Sequence, residues 1–341
     1  MIYKNVEIHN AAQLTNEADG GVSWYRIPTC VYDKLEIAKT AGGKGAATGV
    51  ELRFVMHSDT VTLRLKAEYR DKILNTFHVY RGSIQGGWED HEFDKYVGTE
   101  NTDIVIKRSQ NEKQLKQITK QFGYGFDSDV IRVIFDRGNY TLVDVIGDVE
   151  PPLPEQCPAK TLLSYGSSIT HGSNSIDMSH SWVSVLAHNL NYDYLNLGFA
   201  GSCALEPALA DYIADLGVQG KWDIATLELG VNVVHWEREH IRERVTYLLD
   251  AVAGKNPDKP IIAISPFYFE DDFRNYGRAH NWREIIPEVI QNGGYKNVTY
   301  VNGLDVIGDM SYISADETHP NIFGCQRIAD YLTGVAKSII K

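Results

Sequence analysis

Between positions 151 and 158 the chain places Pro151, Pro152, Pro154 and Pro158 in the stretch "VEPPLPEQCPAK", and this break constrains the fold more than any other feature. Proline fixes φ and removes a backbone donor, so the run continues neither a sheet nor a helix and reads as a stiff connector. On its N-terminal side apolar residues recur at every second position. In "VELRFVMHSDTVTLRLKAEY", Leu52, Phe54 and Met56 share a strand face, "HSDT" reads as a turn, and Val61, Leu63 and Leu65 form a return face. The pattern repeats in "DVIRVIFDRGNYTLVDVIGD", where Asp136, Arg137, Gly138 and Asn139 supply the turn. Both read as hairpins, and helical periodicity is scarce. Residues 1–150 are therefore expected to form an antiparallel β-sandwich of jelly-roll type.

Beyond the prolines the texture changes. "TLLSYG", "YLNLG", "WDIATLELG", "PIIAISPF" and "NVTYVNGLDVI" read as strands. Between and after them, "SHSWVSVLAHNL", "HIRERVTYLLDAVAG" with Ile241, Val245, Leu248 and Val252, "NWREIIPEVIQ", and a final stripe of Ile328, Leu332, Val335 and Ile339 carry helical spacing. Pro287 is expected to kink the third of these. Such alternation predicts an α/β region, a parallel sheet covered by helices on both faces. At 341 residues the chain exceeds the roughly 250 to 300 at which single cores stop growing. The expected division is a sandwich over 1–150, a linker over 151–159 and an α/β domain over 160–341.

Charge and composition exclude several classes of function. A net charge of −12 repels nucleic acid and anionic lipid, and no basic patch offsets it. No apolar run approaches the roughly 18 residues of a membrane span, and "MIYKNVEIHNAAQ" lacks the pattern of a secretion signal, so the expected location is cytoplasmic. Cys30, Cys157, Cys203 and Cys325 are too widely spaced for a metal or redox pair and are expected as buried free thiols. His235 and His240 are five apart, not the four that place two zinc ligands on one helical face. "GGKGAATG" at 42–49 lacks Ser or Thr after Lys44 and reads as a flexible loop, not a phosphate loop. No cofactor and no metal are expected.

In parallel sheets ligands gather at the carboxyl ends of strands. Four polar segments fall at such places: Gly166-Ser167-Ser168-Ile169-Thr170, Gly198-Phe199-Ala200-Gly201-Ser202, Gly230-Val231-Asn232, and Asp316-Glu317-Thr318-His319-Pro320-Asn321 before the last helix. Singly, each has an ordinary explanation as a turn or a helix cap. Together they offer a chemistry. A serine hydroxyl becomes a nucleophile when a base such as His319 lies within hydrogen-bond reach. Asp316, three residues upstream, is placed to hold the other ring nitrogen, and Glu317 is its competitor. Oxyanion donors are available from the Ser168 N–H, the Gly201 N–H and the Asn232 amide.

The combination resembles the SGNH hydrolases, the GDSL esterase and lipase family, from about Lys160 onward. "GSSIT", "NLGFAGS", "LELGVN" and "DETHPN" match the family's four blocks in the family's order. The resemblance implies a flavodoxin-like catalytic sheet and Ser168 as nucleophile, two places after Gly166. Ser167 departs from the family by replacing an aspartate, and Val233 stands where many members carry another. A sandwich followed by such a domain is also similar to carbohydrate esterases of the second family and to acyltransferase-like relatives.

That layout implies a serine esterase acting on a short acyl ester of a carbohydrate or other polyol. The alternatives are an acyltransferase using the same residues, and a carbohydrate-binding protein with a vestigial catalytic half. The expected partner is the small-molecule ester, with no nucleic acid or membrane. Phe199, Trp236 and His171 are candidates to line the pocket. Natural substrate, acyl chain and oligomeric state are not set by these residues.

Overall fold

In the computed structural model, which describes residues 1–18, 20–40, 44–70, 73–90 and 96–340, the strand and helix pattern after the prolines becomes a five-stranded, wholly parallel sheet. Its order is Asp193–Gly198, Thr161–Gly166, Ile224–Glu228, Ile261–Ile264, Val298–Val301. These strands are short and apolar because both faces are covered. Pro207–Val218, Arg238–Lys255 and Arg278–Gly293 pack on one face around Trp222, Leu227 and Trp282. Trp182–Leu190 and Ile322–Ile339 cover the other around Leu186, Ile262 and Leu332. Arg278–Gly293 runs on through Pro287 as one helix. "NVTYVNGLDVI" divides into the strand Val298–Val301 and a helical turn, Gly303–Val306.

The first strand in sequence, Thr161–Gly166, lies between the second and the third. Strand order therefore reverses at its carboxyl end, the crevice where doubly wound sheets bind ligands. Ser167 and Ser168 come directly after it.

The N-terminal region is an antiparallel sandwich. One sheet orders Ile2–Tyr3, Val6–His9, Glu51–Met56, Val130–Phe135, Phe77–Arg81 and Ile84–Gln85, with Val149–Glu150 also pairing to Glu51–Met56. The other orders Gln13–Asn16, Val22–Tyr25, Tyr140–Ile146, Thr60–Ala67 and Thr102–Lys107. Neither expected hairpin forms. Glu51–Met56 and Thr60–Ala67 lie in opposite sheets, as do Val130–Phe135 and Tyr140–Ile146. Their turns are arches from sheet to sheet, and the alternating faces meet across the core, with Leu52 and Phe54 in one cluster with Leu63 and Leu65. Period two reports which face is buried, not which strand is the partner. Glu112–Phe122 adds a helix where none was expected. Of the "GGKGAATG" loop, Gly42 and Gly43 lie outside the described residues. Cys203 and Cys325 are buried as expected, whereas Cys30 is exposed.

Every residue of Glu51–Met56 is buried. One face fills the sandwich core, and the other meets the parallel sheet through ion pairs. The Arg53 guanidinium donates to both oxygens of Asp193, each at 2.7 Å, and through Nε to Glu51 at 2.8 Å. Arg132 donates twice to Glu51 and lies 4.0 Å from the Phe126 ring centre. Burial alone would lower the Arg53 pKa, but the carboxylates of Asp193 and Glu51 raise it well above its ordinary value. The Asp193 carboxyl is likewise lowered despite burial, chiefly by Arg53.

Removing one member of a buried pair strands the other, at a cost of roughly 3–5 kcal/mol. Arg53→Ala is expected to lower unfolding stability by about that amount in urea titration at neutral pH. Arg53→Met combined with Asp193→Leu is expected to lose markedly less, because it leaves Glu51 paired with Arg132 and strands no carboxylate at position 193.

Candidate active site

The turn after Thr161–Gly166 starts a four-residue helix, Ser168–His171. Ser167 is its N-cap, and its hydroxyl oxygen accepts the Ile169 N–H at 3.1 Å. The same hydroxyl donates to Glu228 Oε2 at 2.7 Å. That carboxyl oxygen also accepts the Ser167 N–H at 2.7 Å and the Thr170 hydroxyl at 3.1 Å. Glu228 is fully buried, and its second oxygen has no hydrogen-bond partner among the described residues. Burial pushes its carboxyl above the ordinary range, against the pull of the three donors. Ser167 thus ties the turn to the neighbouring strand where the family pattern has an aspartate. Sequence reading missed Glu228, whose one signal was a carboxylate inside the apolar run "IATLELG".

Ser168, at the first helical position, is only 6% exposed, and its Oγ lies 2.8 Å from His319 Nε2. His319 Nδ1 lies 2.8 Å from Asp316 Oδ2. The other Asp316 oxygen accepts the backbone N–H groups of Thr318 at 3.0 Å and His319 at 2.9 Å, while Asn174 donates to Oδ2 at 2.8 Å. Burial raises the Asp316 pKa, but these bonds from the His319 backbone and ring and from Thr318 outweigh it and hold the carboxyl below its ordinary value. An ionised Asp316 keeps the proton on His319 Nδ1 and leaves Nε2 as the acceptor facing Ser168. Glu317 turns elsewhere: its φ is +61°, and its carboxylate accepts two bonds from Arg274. Asn174 carried no signal in the sequence.

The oxyanion candidates come from the start of the Ser168 helix, the loop at Gly201 and the turn at Asn232. The Ser168 N–H has no intrahelical acceptor, being at a helix start. Gly201 has a φ of +68° and open space where a Cβ would stand, so its role here is backbone conformation. Asn232 Oδ1 accepts the Cys203 N–H at 3.0 Å. Since a backbone N–H only donates, the amide oxygen must face Cys203, and the NH2 is directed the other way. Gly198 is a close-approach residue: a Cβ there would come within 2.2 Å of the His171 nitrogen.

The three pocket candidates separate. Phe199 is fully buried in the core, with the Arg26 guanidinium 5.3 Å from its ring centre, and forms no wall. Its strand-end position suggested a cleft, but the side chain turns inward against Tyr165. His171 is partly exposed and turns toward the sandwich. Its Nε2 meets the Thr48 hydroxyl of the sandwich at 2.7 Å. Burial first, then the charges of Arg26, Arg137, Arg70 and His319, hold its imidazole well below the ordinary histidine pKa, so it is neutral. Trp236 borders a groove of about 710 Å³ that it shares with Ala204, Tyr212 and Arg244 and that neither Ser168 nor His319 lines.

The sandwich also reaches the strand that leads to Gly201. Outward carbonyls of Asp193–Gly198 accept His9 Nε2 at Tyr194, Asn10 and Arg26 at Asn196, and Arg26 again at Gly198, at 2.7 to 3.1 Å.

A salicylyl-acyltransferase, SsfX3 from a tetracycline biosynthetic pathway, shares this fold with a TM-score of 0.77 at 17% identity, over 99% of this chain and 96% of its own. A family two carbohydrate esterase from Cellvibrio japonicus superposes with a TM-score of 0.66 at 12% identity, covering 99% of this chain and 96% of its own. One from Clostridium thermocellum, in complex with cellohexaose, gives 0.61 at 15% identity, with 98% of each chain covered. Among curated proteins none matches. The GDSL-like lipase/acylhydrolase family profile matches residues 159–337. The chain belongs to the GDSL-like lipase/acylhydrolase family.

Proposed function

We propose that the protein is a serine esterase that removes a short acyl group from a carbohydrate or other polyol. The observation that carries this reading is the continuous relay from Ser168 Oγ to His319 Nε2 and from His319 Nδ1 to Asp316, with both contacts at 2.8 Å. In the proposed reaction Ser168 Oγ attacks the ester carbonyl carbon as its proton passes to His319 Nε2. The carbonyl oxygen takes up the electron pair and is met by the Ser168 N–H, the Gly201 N–H and the Asn232 NH2. Collapse expels the alcohol, which receives the proton from His319, and leaves an acyl-Ser168. Water then repeats the cycle with His319 as base and releases the acid.

One feature supports a polyol ester over a long-chain lipid. Fold likeness extends along the whole chain to proteins described as family two carbohydrate esterases. A second reading, transfer of the acyl group to an alcohol, is favoured by the whole-chain likeness to a salicylyl-acyltransferase. It uses the same acyl-Ser168 and differs only in the acceptor.

Fluorophosphonate labelling with peptide mapping tests the reading. Modification is expected at Ser168 and is expected to vanish in His319→Ala; folded protein that remains unlabelled overturns both readings. Acylated polyol outpacing hydrolysis of a short aryl ester would select the transferase.

Asn232→Ala is expected to lower kcat roughly 100- to 1,000-fold with little change in KM, since the amide acts on the charge that develops at the oxyanion.

Glu228→Ala strands three donors around the nucleophile turn and is expected to cost roughly 2–4 kcal/mol in thermal or urea unfolding while slowing Ser168 labelling. Glu228→Gln keeps a carbonyl oxygen for the same donors and is expected to recover most of both.

A further inference from the structure

Two guanidinium groups of the sandwich, Arg137 and Arg70, act on the ring of His171, the last residue of the helix that Ser168 begins. Along Val130–Phe135 the residues Ile131, Val133 and Phe135 point into the sandwich core, so Arg132, Ile134 and, one step on, Asp136 face the α/β region. The neighbouring strand is Phe77–Arg81. Tyr80 borders an interdomain cavity beside Ser179, and His78 meets Asp177 at 3.2 Å. Thr76, one position before that strand, accepts the Asp136 N–H at 2.9 Å.

Gly138 accepts the Ala47 N–H at 3.0 Å, and Thr48, the next residue, holds His171, the last residue of the helix that Ser168 begins. The turn 136–139 is therefore joined, through Ala47 and Thr48, to the end of the helix that Ser168 begins. The electrostatics agree, because the charges acting on the His171 ring include Arg137 and Arg70 alongside His319.

Arg137 is built as a fork with its tines free. Its Nε donates to Asp136 at 3.1 Å, and Asp136 is only 4% exposed. Among the described residues the guanidinium has no other partner, and its side chain keeps 18% of its surface in solvent. A buried carboxylate on Nε fixes the plane of the group and leaves the two Nη nitrogens to bind bidentately. Arg70 approaches from the side through Nη1 to Asn139 Oδ1 at 3.2 Å and has no carboxylate partner among the described residues. The nearby Glu68 carboxylate is taken by the Asn139 NH2 at 2.8 Å. In a chain of net charge −12 these two cations are positioned against the overall field.

We infer that Arg137, assisted by Arg70, forms an anion-recognition site on the rim of the crevice, and that the preferred substrate is an ester carrying a carboxylate or similar anionic group near the scissile bond. The inference rests on the esterase reading above and adds the charge of the substrate. The anion belongs either to the acyl half or to the alcohol half, and both put the same chemistry against the guanidinium.

Matched esters separate these cases. 4-Nitrophenyl acetate against 4-nitrophenyl hemisuccinate tests an anionic acyl group, and acetylated methyl glucoside against acetylated glucuronic acid tests an anionic alcohol. At low salt kcat/KM for one anionic member is expected to exceed that of its neutral match by roughly tenfold or more, a preference that shrinks as salt rises. Arg137→Ala and Arg137→Glu are expected to bring that ratio close to one, with Arg137→Lys intermediate because it keeps the charge and loses the fork. Thermal unfolding of each variant checks that the fold is kept. A wild-type ratio near one in both pairs, or a ratio that survives Arg137→Glu, overturns the inference while the neutral esters and Ser168 labelling still uphold the esterase. Failure to hydrolyse any of the four, with Ser168 unlabelled, overturns both.

Discussion

The edge of the parallel sheet is where the architecture is decided. Asp193–Gly198 pairs with Thr161–Gly166 on one side and, among the described residues, has no strand on the other. An open edge leaves a row of unpaired carbonyls, which a buried strand cannot carry. Here side chains of the sandwich stand in for the missing strand, with His9, Asn10 and Arg26 satisfying Tyr194, Asn196 and Gly198. Arg26 does this while fully enclosed, and burial pushes its pKa down to about 10. The Arg53 and Asp193 pair fastens the start of the same strand. The loop bearing Gly201 leaves from an edge held along its whole length.

The second constraint is polar order beneath the turn that carries Ser168. Ser167, Thr170 and Glu228 share one buried carboxyl oxygen, and Asn196 extends this order by donating to Thr170 O and accepting the Gly198 N–H. Two histidines near this helix show how environment divides their work. His171, beside a neutral hydroxyl and among cations, is held unprotonated. His319 has a carboxylate behind it and a serine in front.

Much of this was legible in the sequence, and what was not failed for definable reasons. Local pattern found the alternation of strand and helix, and spacing preferred Asp316 over Glu317, because both depend on residues close together in the chain. The hairpins failed because alternation marks a buried face and is silent on which sheet a strand joins, as Leu52 and Leu63 show across the core. Phe199 failed because a strand end can turn a side chain inward. Glu228, Asn174, Thr48 and Arg26 act through partners 58 to 172 positions away, a separation that no motif of a few residues can encode.

The Thr48 hydroxyl closes the helix that starts at Ser168, although it belongs to the other half of the molecule. The prolines at 151–158 look like a convenient place to cut, yet the cut would expose His171 and three edge carbonyls at once. Evolution of such a chain is then bound to treat its two halves as one inheritance. A recombined catalytic half has to bring its own substitutes for these few side chains, and shuffling alone does not supply them.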